Sequence, residues 1–180
     1  QNSSSGFDVM AWIQPLDEEL ERIRVLTGRH LVVNRYGDDF SYVSTHHRQA
    51  LHAAAAKLID RAPANAQLVY LDPVKTGFVP RERAAGFIDA CGERERFYRM
   101  CSCDGYDLTL ANLLALPLDA KRPLTLVSPS RIYTGAVLAF ARQTNRRLWD
   151  DFFYSDVDNP HSKERAGILI PSIVQDYEAM

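Results

Sequence analysis

The sequence predicts an α/β protein: a three-layer α/β/α domain on a doubly wound, mostly parallel sheet of about five strands, of the Rossmann or flavodoxin type. Three observations predict this class. Short apolar runs alternate along the chain with segments of helical periodicity. The runs at 66–71 and 123–128 are almost continuously apolar, as in strands buried on both faces of a parallel sheet. The connections are short, which favours parallel strands joined by right-handed crossovers.

Five apolar runs are the predicted strands. They are "HLVV" at 30–33, "AQLVYL" at 66–71, "RFYRMCS" at 96–102, "PLTLVS" at 123–128 and "LWDDFFYS" at 148–155. We expect 66–71 and 123–128 to be the central strands because they are the most continuously apolar. The last run is interrupted by Asp150 and Asp151.

Helical segments precede and separate these strands. They are expected at about 16–27, 45–61, 84–91, 107–116, 134–141 and 159–170. The second has the clearest apolar stripe, at i, i+3, i+4, i+7 and i+8, formed by Leu51, Ala54, Ala55, Leu58 and Ile59. Gly28 and Gly92 are stop signals for two of the helices. Asn159 and Pro160 are a cap and first-turn pair for the last one.

The length of 180 residues fits one domain with a sizeable core. We expect a single α/β domain over residues 7–180, after a linker or cloning remnant at residues 1–6. Hydrophobic residues make up 46% and charged residues 24%, as in ordinary soluble proteins. The three cysteines argue against a disulfide scaffold and for a reducing compartment, so we expect a cytoplasmic protein.

The net charge and the hydropathy of the sequence argue against two classes of binding partner, nucleic acids and membranes. The formal net charge of −2 argues against general nucleic-acid binding, which needs a basic surplus. The sequence contains no apolar run of about 18 residues, so it predicts no membrane span. Protein partners, or further domains of a longer chain, are therefore expected.

Carboxylates follow four of the five predicted strands, at the sheet edge where ligands bind in open parallel sheets. They are Asp38 and Asp39, Asp72, Asp104 and Asp107, and Asp156 and Asp158. Such a cluster suits Mg²⁺, a hard cation that takes carboxylate oxygens and water. A Mg²⁺ site is therefore predicted on Asp38, Asp39 and Asp72. The alternative is that these residues serve as turn and cap residues.

A Ser-Pro-Ser turn follows the fourth predicted strand, in "LVSPSR". The helix after it offers backbone N–H groups that suit an anion. We therefore expect a phosphate-bearing small molecule at this edge, with Asp104, Ser130 and Arg131 as ligand-binding residues.

Three histidines, His46, His47 and His52, lie around the start of the helix predicted at 45–61. His47 and His52 are five residues apart, which is not the i, i+4 spacing of a metal-binding pair on one helix face. We expect all three side chains to be solvated.

The segment "LVYLDPVKTG" resembles the nucleophile segment of the haloacid dehalogenase-like phosphatases. In that family an Asp closes a strand, a second Asp lies two residues on, and a Thr lies two further. Asp72 and Thr76 match this pattern, and Val74 stands in place of the second Asp. "LVSPS" resembles the family's second motif, and Lys163 stands for its third-motif lysine. The resemblance implies Asp72 as nucleophile, with Ser128 and Lys163 on the phosphate.

The same segments also resemble a response-regulator receiver domain. An acidic pair follows the first predicted strand, "AQLVYLDP" looks like the strand that bears the phosphoacceptor Asp, and Ser128 follows the fourth strand. The Lys-Pro pair that follows the family's fifth strand is absent, since this chain has "DVDNPHSK" there.

Two functions remain open. The incomplete motifs favour a non-catalytic receiver-like or Rossmann-like regulatory or interaction domain of a larger protein, which binds a nucleotide or phosphorylated ligand at the strand C-terminal edge. The alternative is a Mg²⁺-dependent phosphoryl-transfer enzyme that resembles the haloacid dehalogenase-like phosphatases. Both resemblances concern the fold, which by itself does not establish function.

Overall fold

The structure is a computed structural model, and it describes residues 9–26, 28–75, 77–92, 98–157 and 172–173. These residues form two compact units. The first contains residues 9–45 and Gly77–Val79, and the second contains the other described residues, from His46 onward. The single domain predicted over 7–180 stays a prediction, since two compact units can belong to one domain.

The first unit is a three-stranded parallel sheet with one helix. Its elements are β1 (Val9–Ile13), α1 (Asp17–Val25), β2 (Arg29–Val33) and β3 (Ser41–Val43), and the strand order is β1-β2-β3. Helix α1 starts with three acidic residues, which favour the positive end of the helix dipole. It buries Leu20 and Ile23 against Val32 of β2.

The second unit is a five-stranded parallel sheet with helices on both faces. Its strands are β4 (Gln67–Pro73), β5 (Tyr98–Cys103), β6 (Leu124–Val127), β7 (Phe152–Val157) and β8 (Ser172–Ile173), in the order β5-β4-β6-β7-β8. Its helices are α2 (His47–Arg61), α3 (Phe78–Cys91, which belongs to this unit from Pro80 onward), α4 (Gly105–Ala115) and α5 (Thr134–Gln143). None of the helices in the described ranges is long and apolar enough to cross a membrane.

The predicted α/β class and the two predicted central strands are confirmed. Strand β4 pairs with β5 on one side and β6 on the other, and both pairs are parallel. All four residues of β6 are buried, as its continuous apolar sequence requires. The chain order reverses between β4 and β6, so their carboxyl ends flank a topological switch point, where open α/β sheets bind ligands.

Each face of this sheet has its own hydrophobic core. Helices α2 and α3 cover one face, where Leu51, Leu58 and Phe87 pack against Tyr70. The apolar stripe predicted for α2 is confirmed, since Leu51, Ala55, Leu58 and Ile59 are all buried. Helices α4 and α5 cover the other face.

The structure differs from the predicted elements at several places. The strand predicted at 30–33 belongs to the first unit's sheet. Strands β1, β3 and β8 are not among the predicted strands. Strands β3 and β8 are too short to show the alternation of apolar and polar residues that marks a strand in a sequence. The fifth strand begins at Phe152 because a turn precedes it, in which Asp151 Oδ1 accepts the Arg147 N–H at 2.6 Å. Helix α3 begins at Phe78, since Pro80 in its first turn needs no N–H partner. The helix predicted at 159–170 lies outside the described residues.

Helices α2 and α3 approach each other closely at Gly86. A Cβ atom at this position would collide with the carbonyl oxygen of Arg48 and would lie 3.1 Å from the backbone nitrogen of His52. The Arg48 side chain also forms a two-point ion pair with Asp89 of α3, with Nε–Oδ2 and Nη2–Oδ1 distances of 2.6 and 2.9 Å. Only glycine allows this helix crossing without displacement of the backbone.

We predict that Gly86→Ala lowers the free energy of unfolding by ~1–3 kcal/mol, because the added methyl group meets backbone atoms that cannot rotate away. Gly135→Ala in α5 is the matched control. Its Cβ would meet only the Tyr106 ring, at an ordinary 3.6 Å, so helix propensity should leave stability unchanged or raise it by up to ~1 kcal/mol. Denaturant melts measure both variants. Equal changes in the two would show that α2 and α3 can separate at little cost.

Candidate ligand-binding site

The candidate site lies in the second unit, at the carboxyl edge of the sheet near the β4–β6 switch point. Asp72 stands at the end of β4 and is half-buried, and the Ser128–Ser130 turn follows β6 directly. Both positions were predicted from the sequence, because residues that follow parallel strands collect at one edge.

The Ser-Pro-Ser turn is held by its own hydroxyl groups. Ser128 is fully buried, and its Oγ donates a hydrogen bond to the Ser130 carbonyl oxygen at 2.7 Å. The Ser130 Oγ accepts the Ile132 N–H at 3.4 Å, where a short 3-10 turn (Arg131–Tyr133) precedes α5. These contacts make the turn a rigid wall of the site, and the two hydroxyl groups are part of its structure.

Arg83 of α3 is a buried cation at this edge that is not among the site residues predicted from the sequence. Its side chain is buried, and Nη1 donates to the Pro129 carbonyl oxygen at 2.6 Å. The helix predicted at 84–91 contains Phe87, an apolar residue that is fully buried in the structure. Counting back four residues from Phe87 places Arg83 on that same buried face, which is a signal that could have identified it.

Tyr70 contributes a hydroxyl group that has no hydrogen-bond partner among the described residues, although the side chain is fully buried. Its ring stacks on Phe87 with a centroid distance of 5.1 Å. Burial raises the pKa of Tyr70 more than the Arg83 charge lowers it, so the phenol is neutral. A buried hydroxyl without a hydrogen-bond partner costs stability.

His47, the first residue of α2, faces the same region. It is buried, so the prediction of a solvated side chain is wrong for this residue, whereas His46 beside it is exposed. Burial and then the charges of Arg83 and His46 lower the pKa of His47 to about 4. The imidazole is therefore neutral at physiological pH, and it offers one donor and one acceptor.

Asp72 supplies a carboxylate to this part of the edge. Burial raises the pKa of Asp72, and its charge in turn contributes to the raised pKa of Tyr70. The charge of Arg83 thus acts on the pKa values of both His47 and Tyr70, and the charge of Asp72 acts on that of Tyr70. Side chains of these kinds are the ones that orient polar small molecules in ligand sites generally.

A second polar network lies at the same edge on the α4–α5 side. Asp156 is fully buried near the end of β7 and accepts a hydrogen bond from Thr134 Oγ1 at 2.6 Å. Thr134 Oγ1 also lies 2.9 Å from the Tyr154 hydroxyl oxygen. This network joins β7 to the start of α5 and stabilises the edge.

The predicted Mg²⁺ ligands belong to two different units. Asp38 and Asp39 lie in the first unit, where Asp39 pairs with Arg24 at 2.9 Å, and Asp72 lies in the second. Across the described ranges, no three His, Cys, Asp or Glu side chains are grouped to hold a metal ion. Mg²⁺ stays a prediction.

The other predicted site residues are dispersed. Asp104 is exposed at the N-cap position of α4, where its side chain makes no capping hydrogen bond, and Arg131 is exposed in the 3-10 turn. Lys163 lies outside the described residues. The roles predicted for Asp72, Ser128 and Lys163 in phosphoryl transfer, and for Asp104, Ser130 and Arg131 in ligand binding, remain predictions.

Comparison with known proteins gives structural neighbours only. No protein-family model and no curated protein matches the sequence. Similar solved structures include a sugar-binding transcriptional regulator of the LacI family from Escherichia coli, in complex with phosphate, at 16% identity and a TM-score of 0.71. A LacI family transcription regulator from Clostridium acetobutylicum has 14% identity and a TM-score of 0.73, and a probable maltose operon transcriptional repressor from a Staphylococcus species has 13% and 0.74.

These matches cover 91%, 96% and 91% of this chain and 62%, 66% and 60% of the respective neighbours. This chain therefore spans less than two thirds of the length of each. At such low identity the likeness establishes the fold, a Rossmann-like α/β architecture with helices on both sides of a parallel sheet. It does not by itself establish function.

We predict that Tyr70→Phe leaves the free energy of unfolding unchanged or raises it, because the lost hydroxyl is buried without a partner among the described residues. Tyr154→Phe is the matched control. It removes a hydroxyl that lies 2.9 Å from Thr134 Oγ1 and should cost ~0.5–1.5 kcal/mol. Denaturant melts of the two variants compare them directly. A loss for Tyr70→Phe as large as that for Tyr154→Phe would contradict this prediction.

We also predict that His47 makes the protein less stable as the pH falls. The folded state takes up a proton on His47 only near pH 4, whereas the unfolded chain does so near its ordinary pKa of 6.5. Between these values the unfolded state binds more protons, so stability decreases with falling pH, by at most ~1.4 kcal/mol per pH unit for one group.

His47→Gln removes this dependence. The unfolding free energy of the parent minus that of the variant should decrease as the pH falls from the ordinary pKa of 6.5 to the folded-state pKa of about 4. Denaturant melts at a series of pH values measure it. A difference that stays constant across the window would mean that the folded protein protonates His47 as readily as the unfolded chain.

Proposed function

We propose that this chain is the ligand-binding part of a LacI-type transcriptional regulator, and that its ligand is a small sugar or a similarly hydroxylated molecule. The observation that carries the proposal is the buried Arg83, whose Nη1 donates to the Pro129 carbonyl oxygen at 2.6 Å, at the switch point of the sheet. The described functions of the structural neighbours, sugar-binding regulator and maltose operon repressor, supply the ligand class.

The chemistry of the site suits hydroxyl groups. A sugar hydroxyl both donates and accepts, so it is matched by a guanidinium that donates and a carboxylate that accepts. Tyr70 and Asp72 are two residues apart on β4, so their side chains lie on the same face of the sheet, which is the face covered by the helix that carries Arg83. Arginine presents its donors in a planar fork, which gives geometric selectivity among hydroxyl pairs.

The role is regulatory and non-catalytic in this proposal. Ser128, the candidate phosphate-holding residue, donates its hydroxyl hydrogen to the turn itself. The raised pKa values of Cys101 and Cys103, at about 11 and about 12, are caused mainly by burial and keep both thiols protonated and unreactive.

The proposal also revises the expected partners. The net charge argued against nucleic acid, but the structural neighbours are described as transcriptional regulators and repressors, so that expectation is not supported. Contact with DNA would be made by another domain of a longer protein. Further domains of a larger chain were expected from the sequence, and the shorter span relative to the neighbours supports that expectation.

Isothermal titration calorimetry tests the proposal with glucose, maltose and glucose 6-phosphate as probes. We expect at least one of them to bind, and Arg83→Gln to weaken its binding ~10-fold or more, since a hydrogen bond from a charged group is lost. Arg81→Gln is the matched control, because Arg81 lies on the same helix with an exposed side chain.

Preference for glucose 6-phosphate over glucose would support the phosphate-bearing ligand predicted from the Ser-Pro-Ser turn, and the reverse would support a neutral sugar. If no probe binds at ~1 mM, or if Arg83→Gln binds as the parent does, the proposed site is wrong.

A further inference from the structure

The first unit contains a cavity of its own, which we call the amino-edge cavity. It has a volume of about 520 Å³ and lies at the amino ends of the unit's three strands, beside the carboxyl end of α1. All its described lining residues belong to the first unit. Open parallel sheets bind their ligands at the opposite edge, so the fold class gives no reason to expect a cavity here.

The size and lining of the amino-edge cavity are those of a small-molecule site. Ligand pockets in proteins have volumes of about 300–1,000 Å³ and combine apolar side chains with a few polar groups. The charged residues among the described lining residues are Arg24, Arg29 and Asp39. The apolar ones are Val9, Ile23, Leu26, Leu31 and Phe40.

His30 of β2 adds an unsatisfied hydrogen-bond donor to the wall of the cavity. The Trp12 indole N–H donates to His30 Nδ1 at 3.2 Å. Because an indole nitrogen can only donate, Nδ1 is the unprotonated ring nitrogen and the proton is on Nε2. His30 Nε2 is buried and has no hydrogen-bond partner among the described residues. A buried N–H without an acceptor costs stability, and an acceptor atom from a ligand removes that cost.

There is open space beside this donor. Gly28 also lines the cavity, and a Cβ atom at Gly28 would stand 3.7 Å from His30 Nε2. Apart from Gly28 and its neighbours in the chain, no other atom of the described residues lies within 4 Å of that position. An acceptor atom of a ligand therefore has room next to His30 Nε2.

The charges of the lining favour an anion as the ligand. Arg24 is paired with Glu21, and its Nη2 lies 2.9 Å from Asp39 Oδ2, so the charge of Arg24 is compensated within the protein. Arg29, exposed at the start of β2, is the remaining charged residue among the described lining residues. An anion meets this positive charge and accepts the His30 N–H, whereas a cation is repelled by Arg29 and accepts no hydrogen bond.

We propose that the amino-edge cavity binds a small carboxylate with an apolar tail, of the kind found in medium-chain fatty acids. A carboxylate oxygen accepts the hydrogen bond from His30 Nε2, and Arg29 supplies the opposite charge. The apolar side chains of the lining contact the tail. This site is independent of the proposed sugar site, whose residues belong to the second unit.

Isothermal titration calorimetry of the whole chain tests the proposal with octanoate, 1-octanol and octylamine, which share one apolar tail. We expect octanoate to bind with a Kd below ~1 mM. The other two should bind at least ~10-fold more weakly, since the alcohol lacks the charge and the ammonium group cannot accept the His30 N–H. If octanoate does not bind at ~1 mM, or if 1-octanol or octylamine binds as tightly, the proposal is overturned.

Two variants test whether octanoate binds in this cavity. His30→Phe removes the N–H and should weaken octanoate binding ~10-fold or more. His52→Phe is the matched control, an exposed histidine of α2 in the second unit, and it should bind octanoate as the parent does. Ser41→Phe adds a ring to a lining residue and should also weaken binding, because less volume is left for the tail.

Thermal melts identify which of these variants fold, and binding is compared among those that do. Should His30→Phe fail to fold, Ser41→Phe decides alone. A folded His30→Phe or Ser41→Phe protein that binds octanoate as tightly as the parent would place the binding elsewhere and contradict the proposed site.

Discussion

The close crossing of α2 and α3 at Gly86 is the constraint on which the second unit depends. It brings the backbone of Arg48 against α3, and the Arg48–Asp89 ion pair holds the same two helices a turn further along. His47 precedes Arg48, and Arg83 lies one turn before Gly86, so the crossing also sets the distance between these two groups. The pKa of His47 is lowered mainly by burial in this packing, and next by the charges of Arg83 and His46.

The parallel sheet provides the other half of the arrangement. The carboxyl ends of parallel strands all lie at one edge of the sheet. Between β4 and β6 the connections run in opposite directions, which leaves a crevice at that edge of the kind where open α/β sheets bind ligands. Asp72 and the Ser128–Ser130 turn come to this edge from the sheet, while Arg83 and His47 come from the helices that cover one face. The bond from Arg83 to the Pro129 carbonyl oxygen ties the two sets together.

The polar groups at the edge differ in whether their hydrogen bonds are made within the protein. Ser128, Thr134, Tyr154 and Asp156 make hydrogen bonds that stabilise the strands and helix starts around them. Tyr70 has a buried hydroxyl with no such partner among the described residues, which is an energetic cost in the absence of ligand. A group held at such a cost beside a buried cation is better suited to recognition than to structural support.

The sequence by itself determined the α/β class, the central positions of 66–71 and 123–128, the buried stripe of α2 and the edge at which Asp72 and Ser128 lie. Continuous apolar runs and apolar residues repeated every 3.6 positions reflect which side chains are buried, so these features could be predicted. Only the tertiary structure decided that 30–33 joins a separate sheet, that His47 is buried and neutral, and that Arg83 reaches Pro129, 46 residues away. Local patterns do not encode contacts between distant segments, because these depend on how two helices cross.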